Sequence, residues 1–498
     1  MKEMSSAGQK VPPMPRLGDK EFHIAPMLDV STREFRYFIR LLTKRSFLWT
    51  EMVVAETLQH CDPKEYDQHL AFEEGSHPIV CQIGGNVPSE AALATELVQR
   101  YGYDRIDLNA ECPSDRVTGR REFGAALMKD IATAADMVKS MVETADSQIM
   151  PVSVKTRIGV DEEDSLDFLL SYIGRLVDAG CRRFIIHSRR VYTKGLSPAQ
   201  NRAVPPLNYQ RVYALCEAFP QCHFWLNGGI RSLVNARKVA YGNDICGFDE
   251  RDGHSAIIAE QPSKDGEIAK HGAPCQACNQ PYGSCIAPSP HQSPVNLKGV
   301  MVGRLAMDNP CALADVDRYF FGEEENPCRT RRELIEKYAQ WIEVVYPRRC
   351  CDDDPTITLG RVVGGSPSIP RVRSCCSVCR EYYENSEEEE TNISDINGEE
   401  NQDANLANDS HFTMSQRRHK RHTKKSPGSK IVSSVIDRPL KPILGVFAGL
   451  PGNAKFRREI HRLSRDISVR NCGPGYVLRK ATECISNDIL DAEFVKCS

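Results

Sequence analysis

Short apolar runs alternate with amphipathic stretches from residue 22 to residue 242, and this alternation restricts the fold more than any other feature of the chain. The strand-like runs are Phe22–Ala25, Leu48–Glu51, Ile79–Ile83, Arg105–Asn109, Val152–Thr156, Phe184–His187 and His223–Leu226. Between them, apolar residues recur at helical spacing over Ser89–Tyr101, Ile131–Thr144, Ser165–Ala179 and Tyr209–Ala218. Strands that alternate with helices form parallel βα units. Seven units precede residue 243, and an eighth strand is legible at Gly299–Arg304. Eight such units close into a barrel. The predicted fold class is α/β: a TIM (β/α)8 barrel followed by a small all-helical C-terminal domain.

The late eighth strand implies an insertion. Residues 243–296 are rich in Gly, Pro, Ser and charge and show no sustained period. They contain Cys275, Cys278 and Cys285, with His271 and His291 nearby, a zinc pattern too incomplete to predict a metal. A second insertion spans 348–436: Cys-rich, then acidic at Glu387–Glu390, then basic at Arg417–Lys425. Opposite charge blocks with few aromatics indicate disorder. The expected organisation is a flexible N-terminus at 1–20 and a barrel at 21–309. A helical domain follows, from 310–347 plus 437–498, interrupted by the disordered segment.

The chain has 498 residues, 41% of them hydrophobic, which suffices for a large core. Its net charge of −3 confines any nucleic-acid surface to a local patch. The 20 cysteines are scattered through a long chain whose first residues lack a secretory apolar run, so a reducing, cytoplasmic setting is expected. No stretch has the length of a membrane span.

Polar residues recur where the strands end. The run Leu108–Asn109–Ala110–Glu111–Cys112–Pro113 stops a strand at a proline, which cannot donate a ladder hydrogen bond. Cys112 therefore sits at the carboxyl end of a strand, where barrel enzymes keep their catalytic groups. Pro26-Met27-Leu28, Gln82, Lys155, His187, Asn227-Gly228-Gly229 and Gly303-Arg304 end other strands. Glycine loops after strands seven and eight admit phosphate to backbone N–H groups, and Arg304 adds charge. Lys155 and His187 then face the middle of a phosphorylated cofactor, and Gln82 a planar ring edge. Those roles suit flavin mononucleotide.

The chain resembles the tRNA-dihydrouridine synthases, most closely their A-type branch. The residues carrying this are His23–Asp29, Leu108–Val117, Lys155–Asp161, Lys194–Pro198, Asn201-Arg202, Pro205–Leu207, Asn227–Ser232, Gly299–Arg304 and Leu444–Gly452. The resemblance implies a monomeric, FMN-dependent enzyme that uses NADPH to reduce D-loop uridines of tRNA. Cys112 would protonate the base at C5, and Asn109 would hold the uracil. Pro26, Met27, Leu28, Gln82, Lys155, His187, Asn227, Gly228, Gly229, Gly303 and Arg304 would hold FMN. Lys194, Arg202 and Arg457 would touch the tRNA elbow. The target base must leave its stack to reach the flavin.

Two features depart from the family pattern. Ala110-Glu111 stands where Val-Gly is usual, and Glu111 is expected to raise the Cys112 thiol pKa. The loop Thr118–Gly124 looks one residue longer than usual. The C-terminal region supports a polyanionic partner independently: residues 439–480 hold nine Lys or Arg against two acidic residues. Lys455, Arg457, Arg458, Arg462 and Arg465 recur at spacings that put several on one helix face. The rival readings are another FMN barrel acting on a small molecule and a tRNA-binding homologue without catalysis. Neither accounts for both the basic region and an intact Cys112, Lys155 and His187.

Overall fold

A computed structural model describes residues 17–114, 122–242, 293–346, 438–466, 469 and 472–494. Most of the insertion predicted at 243–296, all of that predicted at 348–436, most of the N-terminal segment and the loop after Ser114 lie outside the described residues.

The strands are β1 (Glu21–Ile24), β2 (Leu48–Trp49), β3 (Val53–Val54), β4 (Ile79–Gly84), β5 (Arg105–Ala110), β6 (Val152–Arg157), β7 (Arg183–His187), β8 (His223–Asn227) and β9 (Leu297–Val302). Among the described residues these strands pair in parallel throughout, in the order β1-β9-β8-β7-β6-β5-β4-β2. β2 and β3 both pair with β4, so together they fill one barrel position. The ring closes where Phe47 bridges His23, with Phe47 N–H donating to Phe22 O at 2.9 Å. This is the eight-position barrel expected from the alternation. The eighth strand runs two residues earlier than expected, because Gly303 caps a helix that starts at Arg304.

Local chemistry accounts for the units. The helices Arg33–Leu42, Ile131–Thr144, Leu166–Asp178, Tyr209–Ala218 and Leu233–Tyr241 start at Thr32, Asp130, Ser165, Asn208 and Ser232. Each of those side chains accepts a first-turn N–H, which satisfies an otherwise orphan donor. Gly299 lies against β1 so closely that a Cβ there would come within 1.9 Å of Glu21 O. The barrel interior is filled by Ala25, Trp49, Val80, Ile185, Trp225 and Met301.

The amino-terminal mouth is closed by an ion cluster. Arg105 donates to both Glu21 carboxylate oxygens, at 2.7 and 2.8 Å, and His23 Nε2 lies 2.8 Å from the same carboxylate. Trp49 Nε1–H donates to His23 Nδ1 at 3.0 Å. Burial pushes the Glu21 carboxyl up, but the Arg105 and His23 hydrogen bonds outweigh it and hold the group well below the usual carboxylate range.

The chain divides into two compact units. The first comprises Met1–Leu334, Pro442–Asn453 and Asn487–Ser498. Residues just beyond the last strand pack within it: Phe320 meets Phe22 edge-on at 5.2 Å, and Asp317 accepts hydrogen bonds from Thr43 Oγ1 and Lys44 N–H. The second comprises Ile335–Lys441 and Ala454–Ser486, and its described part is helical. There Tyr338, Ile342, Phe456, Val477, Leu478 and Ala481 are buried, and Arg479 clamps Glu336 and Glu343. Among the described residues no helix is long and apolar enough to cross a membrane.

Candidate active site

Strand periodicity places the polar side chains. Val80, Ile185, Trp225 and Met301 point into the barrel, so residues two further along each strand face the same interior, one layer nearer the carboxyl mouth. Those residues are Gln82, His187, Asn227 and Gly303. On β5 and β6 the same layer holds Asn109 and Lys155, which are paired in register. Gln82, Asn109, Lys155, His187 and Asn227 are all buried. Sequence-predicted groups from five strands thus converge at one mouth.

Below them a relay begins at Asp107. This fully buried carboxylate accepts hydrogen bonds from Ser153 Oγ at 2.7 Å and Gln82 Nε2 at 2.9 Å. The Gln82 amide is thereby oriented, and its Oε1 accepts from Asn109 Nδ2 at 2.9 Å. Asn109 Oδ1 in turn accepts the Cys112 N–H at 3.0 Å and the Glu111 N–H at 3.3 Å. Burial pushes the Asp107 carboxyl up against the pull of its Gln82 and Ser153 hydrogen bonds. Sequence reasoning misses Asp107 and Ser153, although both share the inward parity of Asn109 and Lys155. Asp107→Leu should leave the buried Gln82 amide without its acceptor and Ser153 Oγ with only the longer bond to Ile106 O at 3.4 Å, and cost about 1–3 kcal/mol of stability, measurable by urea denaturation. A cost below about 0.5 kcal/mol would mean the relay is dispensable.

Cys112 stands at the end of this relay. Its carbonyl accepts the Ala125 N–H at 3.0 Å, so the loop is held on both sides. Burial pushes the thiol up, while a Ser114 backbone hydrogen bond, Arg157 and Arg202 pull it down. The direction is the expected one, but burial, not Glu111, is the leading cause. The Glu111 carboxylate is directed at other groups: it pairs with Lys155 Nζ, lies 2.9 Å from His187 Nδ1 and 3.4 Å from Arg157 Nε. The last two contacts lack the alignment of hydrogen bonds, and both nitrogens are buried without a hydrogen-bond partner. Lys155 also donates to Asn227 Oδ1 at 3.3 Å. Burial, then Arg157, pulls the Lys155 ammonium down.

The loops after β8 and β9 have the features of an anion cradle. Gly228 and Gly229 adopt φ of 111° and 74°, and a Cβ on Gly228 would come within 2.7 Å of His187 Cδ2. Tyr209 Oη–H fixes this turn through Gly228 O at 2.7 Å. Arg304 is half-buried. Burial, then Arg231, Arg189 and Arg202, pulls its guanidinium down, which marks a local concentration of positive charge. Pro26 and Met27 are half-buried after β1 and Leu28 is exposed; Ser31 Oγ holds that turn by accepting from Met27 N–H at 3.0 Å. Orphaned buried donors, glycines without room for a side chain and clustered arginines together fit a phosphorylated flavin.

Lys194 and Arg202 are exposed on the segment after β7. Asn201, buried, braces that segment: its Oδ1 accepts the Tyr192 N–H at 2.8 Å and its Nδ2 donates to Tyr192 O at 2.9 Å. Arg157 adds a bond to Asn201 O at 2.9 Å. Arg157 is not among the expected site residues; its place two residues after Lys155, on the same strand face, is the signal that could have found it. In the second unit the helix Asn453–Leu463 buries Phe456, Ile460 and Leu463. Lys455, Arg457, Arg458, Arg462 and Arg465 are all exposed, and Arg462 is spent on Glu459 at 3.0 Å. Among the described residues no group of three or more His, Cys, Asp or Glu is placed to hold a metal, and the cysteines of the 243–296 stretch lie outside them.

Comparison with known proteins bears on the chemistry. A family model described as dihydrouridine synthase (Dus) matches residues 23–245. A tRNA-dihydrouridine(20/20a) synthase of Shewanella oneidensis is 36% identical over 325 residues, covering 65% of this chain and 78% of the relative. A protein of the same name from Vibrio vulnificus is 35% identical over 321 residues, covering 64% and 79%. One from Escherichia coli (strain K12) is 37% identical over 305 residues, covering 61% and 70%. With the barrel, the polar mouth and this extent of similarity together, the chain belongs to the dihydrouridine synthase family.

Proposed function

We propose that this protein is a tRNA-dihydrouridine(20/20a) synthase, which uses FMN and NADPH to reduce the C5–C6 double bond of D-loop uridines. The observation that carries the reading is the convergence of Gln82, Asn109, Lys155, His187 and Asn227 at one barrel mouth, beside a cysteine whose loop is fixed by Asn109. The names of the relatives support the substrate and the position in tRNA.

When bound, FMN would supply the hydride chemistry for C6 of the uracil, with NADPH as the reductant. The chain's own residues do the rest. Gly228, Gly229 and Arg304 hold the phosphate, and Pro26, Met27, Leu28, Gln82, Asn227 and Gly303 frame the remainder of the cofactor. Lys155 and His187 set the electrostatics of the ring. Asn109 orients the uracil, and Cys112 Sγ gives its proton to C5. One hydride and one proton are added across one double bond, so the base leaves with two more hydrogens and the thiolate is reprotonated from solvent. A thiol kept protonated by burial is suited to this role. Lys194, Arg202 and Arg457 carry the tRNA backbone.

Purified protein denatured by heat should release free FMN, identified chromatographically, in near-stoichiometric amount or after reconstitution. A protein that neither carries nor takes up flavin would refute the reading.

A further inference from the structure

Glu111 is an acid among groups that an anionic cofactor needs. It follows β5 immediately, and its side chain is 14% exposed. Its carboxylate faces Lys155, Arg157 and His187, which come from the ends of two neighbouring strands, β6 and β7. These groups lie in the layer that faces the mouth, and Lys155 and His187 are the ones assigned above to the flavin.

The contact is asymmetric. Lys155 is paired outright, whereas His187 Nδ1 and Arg157 Nε remain without an aligned acceptor. One carboxylate therefore offsets only part of the charge of Lys155 and Arg157 and leaves the hydrogen-bonding capacity of the cluster unsatisfied. Glu111 gives a charge-assisted hydrogen bond to Lys155 alone, so a ligand that also reached Arg157 Nε and His187 Nδ1 would make bonds that Glu111 does not. The backbone is held independently of the side chain, since Asn109 Oδ1 accepts the N–H groups of both Glu111 and Cys112. The Glu111 side chain can thus turn without disturbing the Cys112 loop.

We propose that Glu111 competes with the flavin for Lys155, Arg157 and His187, and that it sets how tightly this protein holds its cofactor. The proposal rests on the flavin reading above. The population with the carboxylate seated on Lys155 does not bind cofactor, so the apparent affinity is lowered by the fraction of molecules in that state. Removing the carboxylate frees the cations without removing any group that holds the cofactor.

The test is FMN binding to deflavinated protein, followed by quenching of flavin fluorescence, in wild type, Glu111→Gln and Glu111→Gly. Both variants should bind FMN at least about tenfold more tightly than wild type, a change of about 1.4 kcal/mol. Gln keeps the size of the side chain and controls for any backbone loosening by Gly; thermal unfolding of each protein confirms the fold. Unchanged or weaker binding in the Gln variant would overturn the proposal. Absence of FMN binding in wild type and in both variants would instead overturn the flavin reading, and the proposal with it.

Discussion

Cys112→Ala should retain FMN and continue to oxidise NADPH, while dihydrouridine formation falls by about a hundred- to ten-thousand-fold, the usual worth of a positioned proton donor. The flavin half of the reaction needs no thiol. Reduction of the uracil needs a proton at C5, and Cys112 is the group whose loop is fixed beside Asn109. Its carbonyl and amide are both engaged through the backbone, so the substitution leaves those contacts intact. Stopped-flow oxidation of NADPH and quantitation of dihydrouridine by mass spectrometry separate the two halves. A variant that forms dihydrouridine at the wild-type rate would return Cys112 to the status of a half-buried packing residue.

Arg457→Glu combined with Arg458→Glu should have the opposite signature. Both side chains are exposed on a helix whose apolar face, Phe456, Ile460 and Leu463, is buried, so the fold has little reason to suffer. Affinity for tRNA should fall by about tenfold or more at low salt, and the dependence of log K on log salt should become shallower by about 0.7–0.9 for each phosphate no longer neutralised. Oxidation of NADPH without tRNA should be unchanged. Filter binding across a salt series measures both quantities, and an unaltered slope would show that this helix does not touch the nucleic acid. Arg462, already paired with Glu459, is a poorer choice for the same experiment.

Most of the barrel is legible in the sequence because its strands carry strong local signals. Ile79–Gly84 is largely apolar and Val152–Arg157 alternates Val, Val and Thr with Ser, Lys and Arg, and each is followed by a helix with a side-chain or proline start. The divided position, Leu48–Trp49 and Val53–Val54, is only half legible, since two-residue strands have no periodicity to read. The helix Arg33–Leu42 carries the helical spacing openly in Phe35, Phe38, Ile39 and Leu42, but nothing in that pattern shows that Arg36 and Arg40 are buried too and bond to backbone carbonyls. At the site, strand ends can be read as a set of polar residues, but their partners cannot. Asp107 looks like one polar residue within a strand, and its role as the start of the Gln82–Asn109–Cys112 relay depends on contacts across strands. Glu111 stands out as a departure from the family pattern. Its expected effect falls on the neighbouring thiol, because adjacency in sequence says nothing about which way a side chain turns at a strand end. The tertiary contacts send it to Lys155, His187 and Arg157 instead.

The central claim, that this barrel reduces uridine in the tRNA D-loop, is tested most directly by incubating the purified protein with FMN, NADPH and unmodified tRNA, and then mapping dihydrouridine by position. The account predicts dihydrouridine at positions 20 and 20a, dependent on NADPH, and its loss with Cys112→Ala. No dihydrouridine in any unmodified tRNA, from a protein that holds FMN and oxidises NADPH, would contradict it.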